Sequence, residues 1–279
     1  MNADDSKLND LQCYWRDSNS ASGLRDHIHA CHELILVEDG LASFSIQNKR
    51  YIVGKNTMVI IGDLEQHDMK ILQFPYQRYV LTLSHRYCIH SISDPLLASF
   101  ILYRPKDYSH VLELDEALFQ TIKQHFVGIM LEKKQKFEFW QTKIHRHFED
   151  ILIELYRAKP EYFLHENSHT IDTVFRVQQY IAEHFADPIT LELLAKRFYI
   201  SKYYLLRSFQ NITGYSIQEY VYLYRINQAK RLLETTNMTI NEIAPKVGYA
   251  DVNHFIRTFK RSENITPLRY RKTMQEIKQ

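Results

Sequence analysis

Two sets of side chains in this sequence have the types and spacing to do chemistry. In the first, Arg207 and Arg257 stand fifty positions apart, each inside a stretch that repeats at the same offset. Ser201, Lys202, Tyr203, Tyr204, Leu205, Leu206, Arg207, Ser208 and Phe209 answer to Asp251, Val252, Asn253, His254, Phe255, Ile256, Arg257, Thr258 and Phe259. In a DNA major groove an arginine pairs bidentately with guanine and an asparagine with adenine, each worth about 1–3 kcal/mol of discrimination. Lys202, Tyr203, Leu206 and Arg207 in one copy, and Val252, Asn253, His254 and Arg257 in the other, lie off the apolar i, i+4 face and are the candidates for base contact. Lys196, Ser201, Lys260 and Arg261 suit phosphate contact, which sets register and makes binding salt-dependent. A single exposed arginine on a helix is ordinarily just solvated; the repeat at fifty residues lifts Arg207 and Arg257 above that expectation.

The second set is His27, His29, Glu33 and Gly40, in the pattern H-x-H-x3-E-x6-G, followed by Gly54, Gly62 and His67. Imidazole and carboxylate together suit iron, manganese or zinc if they converge. The same groups can instead line a pocket for a small organic ligand, and this is the reading adopted: His27, His29, Glu33 and His67, with Tyr51 and Tyr79 as aromatic walls, and no metal or cofactor. The ligand expected is a small polar metabolite. His145 and Glu149 share a helix face and read as a surface pair; Lys133, Lys134 and Lys136 read as a solvated loop.

The repeat needs helices to present it. Thr239 and Glu242 form a Thr-x-x-Glu capping box, Thr190 stands at the corresponding helix start, and Ser201 and Asp251 can cap the second helix of each pair. Leu205 with Phe209, and Phe255 with Phe259, give those second helices an apolar face. Gly214 and Asn264 sit just beyond them, where a left-handed residue ends a helix. A helix over about 217–234 joins the two helix-turn-helix units as a rigid spacer. Pro245 is unusual inside a short helix.

Residues 32–83 read as short strands, Leu34–Val37, Ala42–Ile46, Tyr51–Val53, Met58–Ile61, Met69–Leu72 and Tyr79–Leu83, broken at Asp39-Gly40 and Asn48-Lys49. Residues before them form an arm or an edge strand. This series, with the histidine-glutamate pattern, resembles the cupin barrel, although Ile60 stands where its second motif has proline. After Asp94-Pro95 the chain turns helical, with stripes Leu118, Ile122, Phe126, Ile129, Met130 and Ile144, Phe148, Ile151, Leu152, Leu155 that pack on the barrel and offer an intersubunit seam. The expected fold is therefore two-domain: an N-terminal all-β cupin-like barrel with packed helices (1–157, sensing and dimerisation), a linker (158–170), and a C-terminal all-α double helix-turn-helix domain (171–279).

Charge is divided the same way. The net charge is only +2, but residues 171–279 hold 16 Lys+Arg against 10 Asp+Glu (+6), leaving 19 against 23 (−4) for residues 1–170. A basic helical half suits a polyanion. Cys13, Cys31 and Cys88 form no CxxC pair, so a reducing cytoplasm is the expected location. The sequence contains no run of 18 apolar residues, no GxxxxGK[ST], GxGxxG, HExxH or GxSxG, so neither a membrane span nor an enzyme is expected.

The C-terminal third also resembles the AraC/XylS-type transcription regulators. The match rests on Leu193, Leu194, Ala195, Ser201, Leu205, Arg207, Phe209, Arg225, Ala229, Leu232 and Leu233, then Ile240, Ile243, Ala244, Val247, Gly248, Tyr249, Phe255, Arg257, Phe259, Lys260, Thr266, Pro267, Tyr270 and Arg271, with Asn264 in place of the usual glycine. The resemblance implies promoter DNA as partner, a small-molecule effector in a cupin-like barrel, a homodimer, and RNA polymerase as a further partner if the protein is an activator.

Overall fold

The computed structural model describes residues 11–19, 31–47, 49–63, 65, 67–103, 109–163 and 168–278. Contacts divide the chain into two units, Met1–Ile171 and Asp172–Gln279.

The first unit is built on strands β1 (Leu11–Ser18), β2 (His32–Ile46), β3 (Lys49–Val53), β4 (Thr57–Ile61), β5 (His67–Leu83) and β6 (Val111–Glu113). They pair antiparallel in the order β1-β5-β2-β4-β6, with β3 on β2. Two pairs of expected strands are each one long strand. β2 runs through Asp39-Gly40, and β5 runs through Pro75. The break in alternation that marked a turn in the sequence is instead a shift of register between Val37 and Ala42. It moves the core positions of β2 from odd (Ile35, Val37) to even (Ala42, Phe44, Ile46) residue numbers. Gly40 carries the shift at φ +84°; a Cβ there would lie 2.2 Å from the Pro75 carbonyl oxygen and 2.8 Å from Tyr76 Cα.

Core residues Val59 and Ile61 of β4, Ile71, Tyr76 and Val80 of β5, and the β2 set define one interior face. Helices α1 (His85–Ser91), α2 (Pro95–Leu102), α3 (Glu116–Gln135) and α4 (Trp140–Ala158) follow. The short α1 and the three-residue β6 lie where the sequence pattern announces neither. Ser84, Asp94 and Asp115 cap α1, α2 and α3 with their side chains. Tyr79 on the outer face of β5 meets Phe126 of α3 at 6.2 Å between ring centroids. Of the two stripes, Leu118, Ile122, Phe126 and Ile129 of α3 and Ile144, Phe148, Ile151, Leu152 and Leu155 of α4 are buried within one chain, while Met130 is only half-buried. The seam expected from them is therefore already used.

Two further expectations are corrected. Lys133 and Lys134 belong to the last turn of α3 and Lys136 ends it in a left-handed conformation, so the lysines are not a loop; Lys133 Nζ donates to the Leu11 carbonyl at 2.9 Å. His145 and Glu149 are engaged elsewhere, His145 Nδ1 with the Tyr87 hydroxyl at 2.6 Å and Glu149 accepting from Ser93 at 3.2 Å. Among the residues expected to form the linker, Phe163 follows a 3-10 turn, Pro160–Tyr162, and is fully buried, stacked on Phe100 at 5.0 Å.

The second unit contains α5 (Ser168–His184), α6 (Leu191–Arg197), α7 (Lys202–Thr213), α8 (Ile217–Thr235), α9 (Ile240–Lys246), α10 (Val252–Glu263) and α11 (Pro267–Lys278). Helix α8 buries Ile217, Tyr220, Val221, Tyr224, Ile226, Asn227, Ala229, Lys230 and Leu233. Its Lys230 Nζ lies 3.0 Å from Glu263 at the end of α10, with side chains 4% and 10% exposed. A charge pair so far from water is costly to break from one side. Lys230→Met alone should cost about 3–5 kcal/mol, and Lys230→Met with Glu263→Leu should regain most of it. Urea unfolding of both variants checks this; equal losses would show that the pair is not coupled.

Candidate nucleic-acid interface and ligand site

Both helix-turn-helix units are assembled by side-chain caps. Thr190 accepts from Leu193 N at 3.1 Å, Ser201 from Tyr204 N at 3.1 Å and Asp251 from His254 N at 2.5 Å, and Thr239 with Glu242 forms the complete capping box. Pro245 lies in the last turn of α9, which runs on to Lys246. Gly214 and Asn264 end α7 and α10 with φ of +78° and +59°.

The helix starts capped by Thr190 and Thr239 are 49 residues apart, whereas those capped by Ser201 and Asp251 are 50 apart. The second turn therefore holds one more residue. Before the insertion the turns match: Ile200 N donates to Ala195 O and Tyr249 N to Ala244 O, and the left-handed residue is Tyr199 (φ +54°) in one and Gly248 (φ +85°) in the other. Tyr199 is 95% exposed. A bulky side chain in that backbone region is rare, and the sequence gives no sign of it.

Burial of Leu205 and Phe209 in α7, and of Phe255 and Phe259 in α10, leaves the opposite faces open. Lys202, Tyr203, Leu206 and Arg207 are exposed, as are Asn253, His254 and Arg257; Val252 is half-buried against the core of the second unit. Among the described residues neither Arg207 nor Arg257 has a hydrogen-bond or ion-pair partner. Lys202 Nζ contacts Glu192 at 2.6 Å, an exposed pair that exchanges easily for another anion. Lys196, Ser201, Lys260 and Arg261 are exposed too. The Ser201 oxygen is already a cap acceptor, so only its O–H remains to donate; Arg261 lies over the Tyr222 ring at 5.5 Å. Arg225 and Arg271 are internal braces. Arg225 donates to the carbonyls of Phe185 and Asp187, and Arg271 to those of Leu233 and Met238.

In the first unit, His27 and His29 lie outside the described residues. Glu33 and His67 meet on the interior face, His67 Nε2 3.9 Å from Glu33 Oε2. Burial pushes the Glu33 carboxyl above its ordinary range, with nearby His67, Arg16 and Arg78 opposing. Tyr51 packs on the interior core, but its hydroxyl is taken by His110 Nδ1 at 3.0 Å, and His110 Nε2 meets Glu65 at 3.0 Å. Tyr79 does not share the interior face with Glu33, His67 and Tyr51. It stands on the opposite face with Phe126 and Lys123, because strand alternation puts Val80, not Tyr79, inside.

A second polar cluster, unannounced by the sequence, joins His32, Asp63 and His85. Their ligand atoms lie 3.1–3.4 Å apart and all three are buried. That spacing fits a tetrahedral ion, yet the Asp63 amide donates to His32 Nδ1 at 3.3 Å, the tautomer opposite to that of an Nε2-bound metal ligand.

Two family models match the chain: an AraC-like ligand binding domain over residues 12–135 and a helix-turn-helix domain over residues 194–273. The chain belongs to the AraC family of transcription regulators. Among its relatives, the activator RhaS of Escherichia coli is 21% identical over 87% of this chain and 85% of its own length, and the regulator YbfI of Bacillus subtilis is 26% identical over 82% and 80%. Other curated relatives are longer: the chain spans 25% of YtdP and 53% of AdaA, both from B. subtilis. ToxT of Vibrio cholerae shares the two-domain fold, with a TM-score of 0.59 over 94% of this chain and 98% of its own at 12% identity. The AraC-type chain described here contains no helix, among its described residues, long and apolar enough to cross a membrane.

The raised Glu33 carboxyl gives a signed pH effect. The folded protein holds a proton that the unfolded chain releases at about pH 4.3, so stability present below that pH is lost as pH rises toward the higher native value. Glu33→Gln removes the loss. In urea unfolding at stepped pH, its stability relative to wild type should climb by at most about 1.4 kcal/mol per pH unit across that window and then level. Parallel profiles for the two proteins would contradict the assignment.

Proposed function

We propose that the protein is a sequence-specific transcription regulator whose two recognition helices, α7 and α10, read adjacent major-groove segments under the control of a small molecule bound in the first unit. The observation that carries this reading is the pair of exposed arginines, Arg207 and Arg257, without partners among the described residues and on matching open faces of two helices joined by one spacer. Helices so held suit successive major grooves about 34 Å apart along one DNA face. Lys196, Lys202, Lys260 and Arg261 supply positive charge beside them, suited to phosphates. The AraC-like ligand binding domain supports an effector, and the regulator families of RhaS and YbfI support DNA as partner. The effector acts by its difference in affinity between two states of the chain, and only by that much.

A homodimer belongs to this proposal. With the α3 and α4 stripes used internally, the exposed apolar side chains near the α3–α4 corner, Leu131, Phe137 and Phe139, are candidates for its interface. Contact with RNA polymerase follows where regulation is positive. None of these roles needs a catalytic group.

Arg207→Ala and Arg257→Ala should each relax base preference at a different position of the site, costing about 1–3 kcal/mol there. Lys260→Ala should weaken specific and random DNA alike and lower the salt slope by about one. Binding to a library of site variants measures both. Equal losses on specific and random DNA for the arginine variants would make them phosphate contacts.

A further inference from the structure

The interior face of the first unit carries a buried charge that forms no ion pair among the described residues. Strands β1 and β5 each present a Tyr-x-Arg triplet, Tyr14-x-Arg16 and Tyr76-x-Arg78, and their register sets Arg16 directly opposite Arg78. Strand alternation puts Arg78 on the same side as the core residues Tyr76 and Val80. Like charges facing each other across a ladder repel. Arg16 is exposed, but Arg78 is only 3% exposed. Its guanidinium lies over the Tyr76 ring at 4.7 Å and Nη1 donates to Ser18 Oγ at 3.1 Å and the Tyr76 carbonyl at 3.4 Å. Among the described residues no carboxylate forms an ion pair with it, and Nε and Nη2 have no partner. Two residues away on the same face, the fully buried Tyr76 hydroxyl also has no hydrogen-bond partner.

A buried charge without a counter-ion and a buried hydroxyl without a partner both cost stability. Two of them together, beside a second arginine, form an arrangement whose deficit an anion would fill. A guanidinium offers its Nε and Nη2 edge as a fork matched to the two oxygens of a carboxylate or phosphate. Glu33, the acidic group within electrostatic reach on this face, is itself pushed toward its neutral form by burial and so opposes such a ligand less. We infer that the effector carries a carboxylate or phosphate group, bound by Arg78 with Arg16 at its side and the Tyr76 hydroxyl as a further donor. This rests on the reading of the first unit as the effector-binding unit, and it identifies the ligand's chemical class.

The full-length protein should be tested by thermal unfolding and titration with succinate, citrate, inorganic phosphate and glucose 6-phosphate, with glucose and xylose as uncharged comparisons, in wild type, Arg78→Met and Tyr76→Phe. At least one anion should raise the melting temperature of wild type and neither sugar should. Arg78→Met should weaken that anion about tenfold to a hundredfold, and Tyr76→Phe less. Without ligand, both variants should melt at or above the wild-type temperature, since each removes an unmatched buried polar group. Which anions bind separates carboxylate from phosphate. Lower melting of both ligand-free variants would make the residues structural and overturn the inference, as would the absence of any anion effect, or a sugar effect that Arg78→Met leaves intact. In that last case the effector reading stands and only the class fails. If an anion binds through Arg78 but leaves binding to operator DNA unchanged, the site stands and the regulatory reading fails.

Discussion

The spacer helix Ile217–Thr235 is buried along two faces, and the second unit depends on that double burial. Tyr220 of this helix meets Phe209 at 5.3 Å, holding the first recognition helix, while Ile226, Ala229 and Leu233 belong to the core that contains Phe255 and Phe259 of the second. Because each recognition helix buries its apolar face in a core shared with the spacer and the preceding helix of its unit, its opposite face is open, and the open faces are the ones that carry Arg207 and Arg257. The fastenings are polar as well as apolar. Arg225 ties the spacer to the carbonyls after α5, and Lys230 with Glu263 ties it to α10. Gly248 fits against this bracing, since a Cβ there would stand 2.8 Å from Arg225 Cζ. Rigidity matters because base readout by two helices requires both to be in register at once.

The first unit obeys the opposite logic. Its interior face is apolar along most of β2, β4 and β5, yet it keeps Glu33, His67, Tyr76 and Arg78 within that face. An apolar replacement at any of these positions would be easier to bury. Of these groups, only the Arg78 guanidinium and the Tyr76 hydroxyl lack a counter-ion or hydrogen-bond partner among the described residues, and in the proposed site these are the groups whose local loss of stability a ligand would restore. That restoration is also the free energy available for switching, because a ligand that satisfies Arg78 in one state and not in another biases the two.

The helical half was legible in the sequence because its signals are local. Caps, i, i+4 stripes and a left-handed terminator all lie within a few residues of the helix they define, and the repeat states them twice. The slip from 49 to 50 residues leaves no mark on this pattern, because an insertion in a turn changes no stripe. The β half was less legible because strand phase is set by distant partners. The register irregularities between Val37 and Ala42 change which side chains of β2 face inward, the strands run on through the expected turns, and Tyr79 stands on the helix-covered face. His32, Asp63 and His85 come from three separate elements, and nothing in their spacing along the chain forecasts their meeting. Arg78 is illegible for the same reason: a lone arginine in a strand reads as solvated, and only its burial, with no ion pair among the described residues, sets it apart.

The most direct test of the account is selection of genomic DNA fragments by the purified full-length protein, sequenced after capture at two salt concentrations. Two short sequence boxes with centres about one helical turn apart, enriched at both salts, are the result expected of paired recognition helices on one spacer. Recovery of nothing above random DNA at either salt would contradict it.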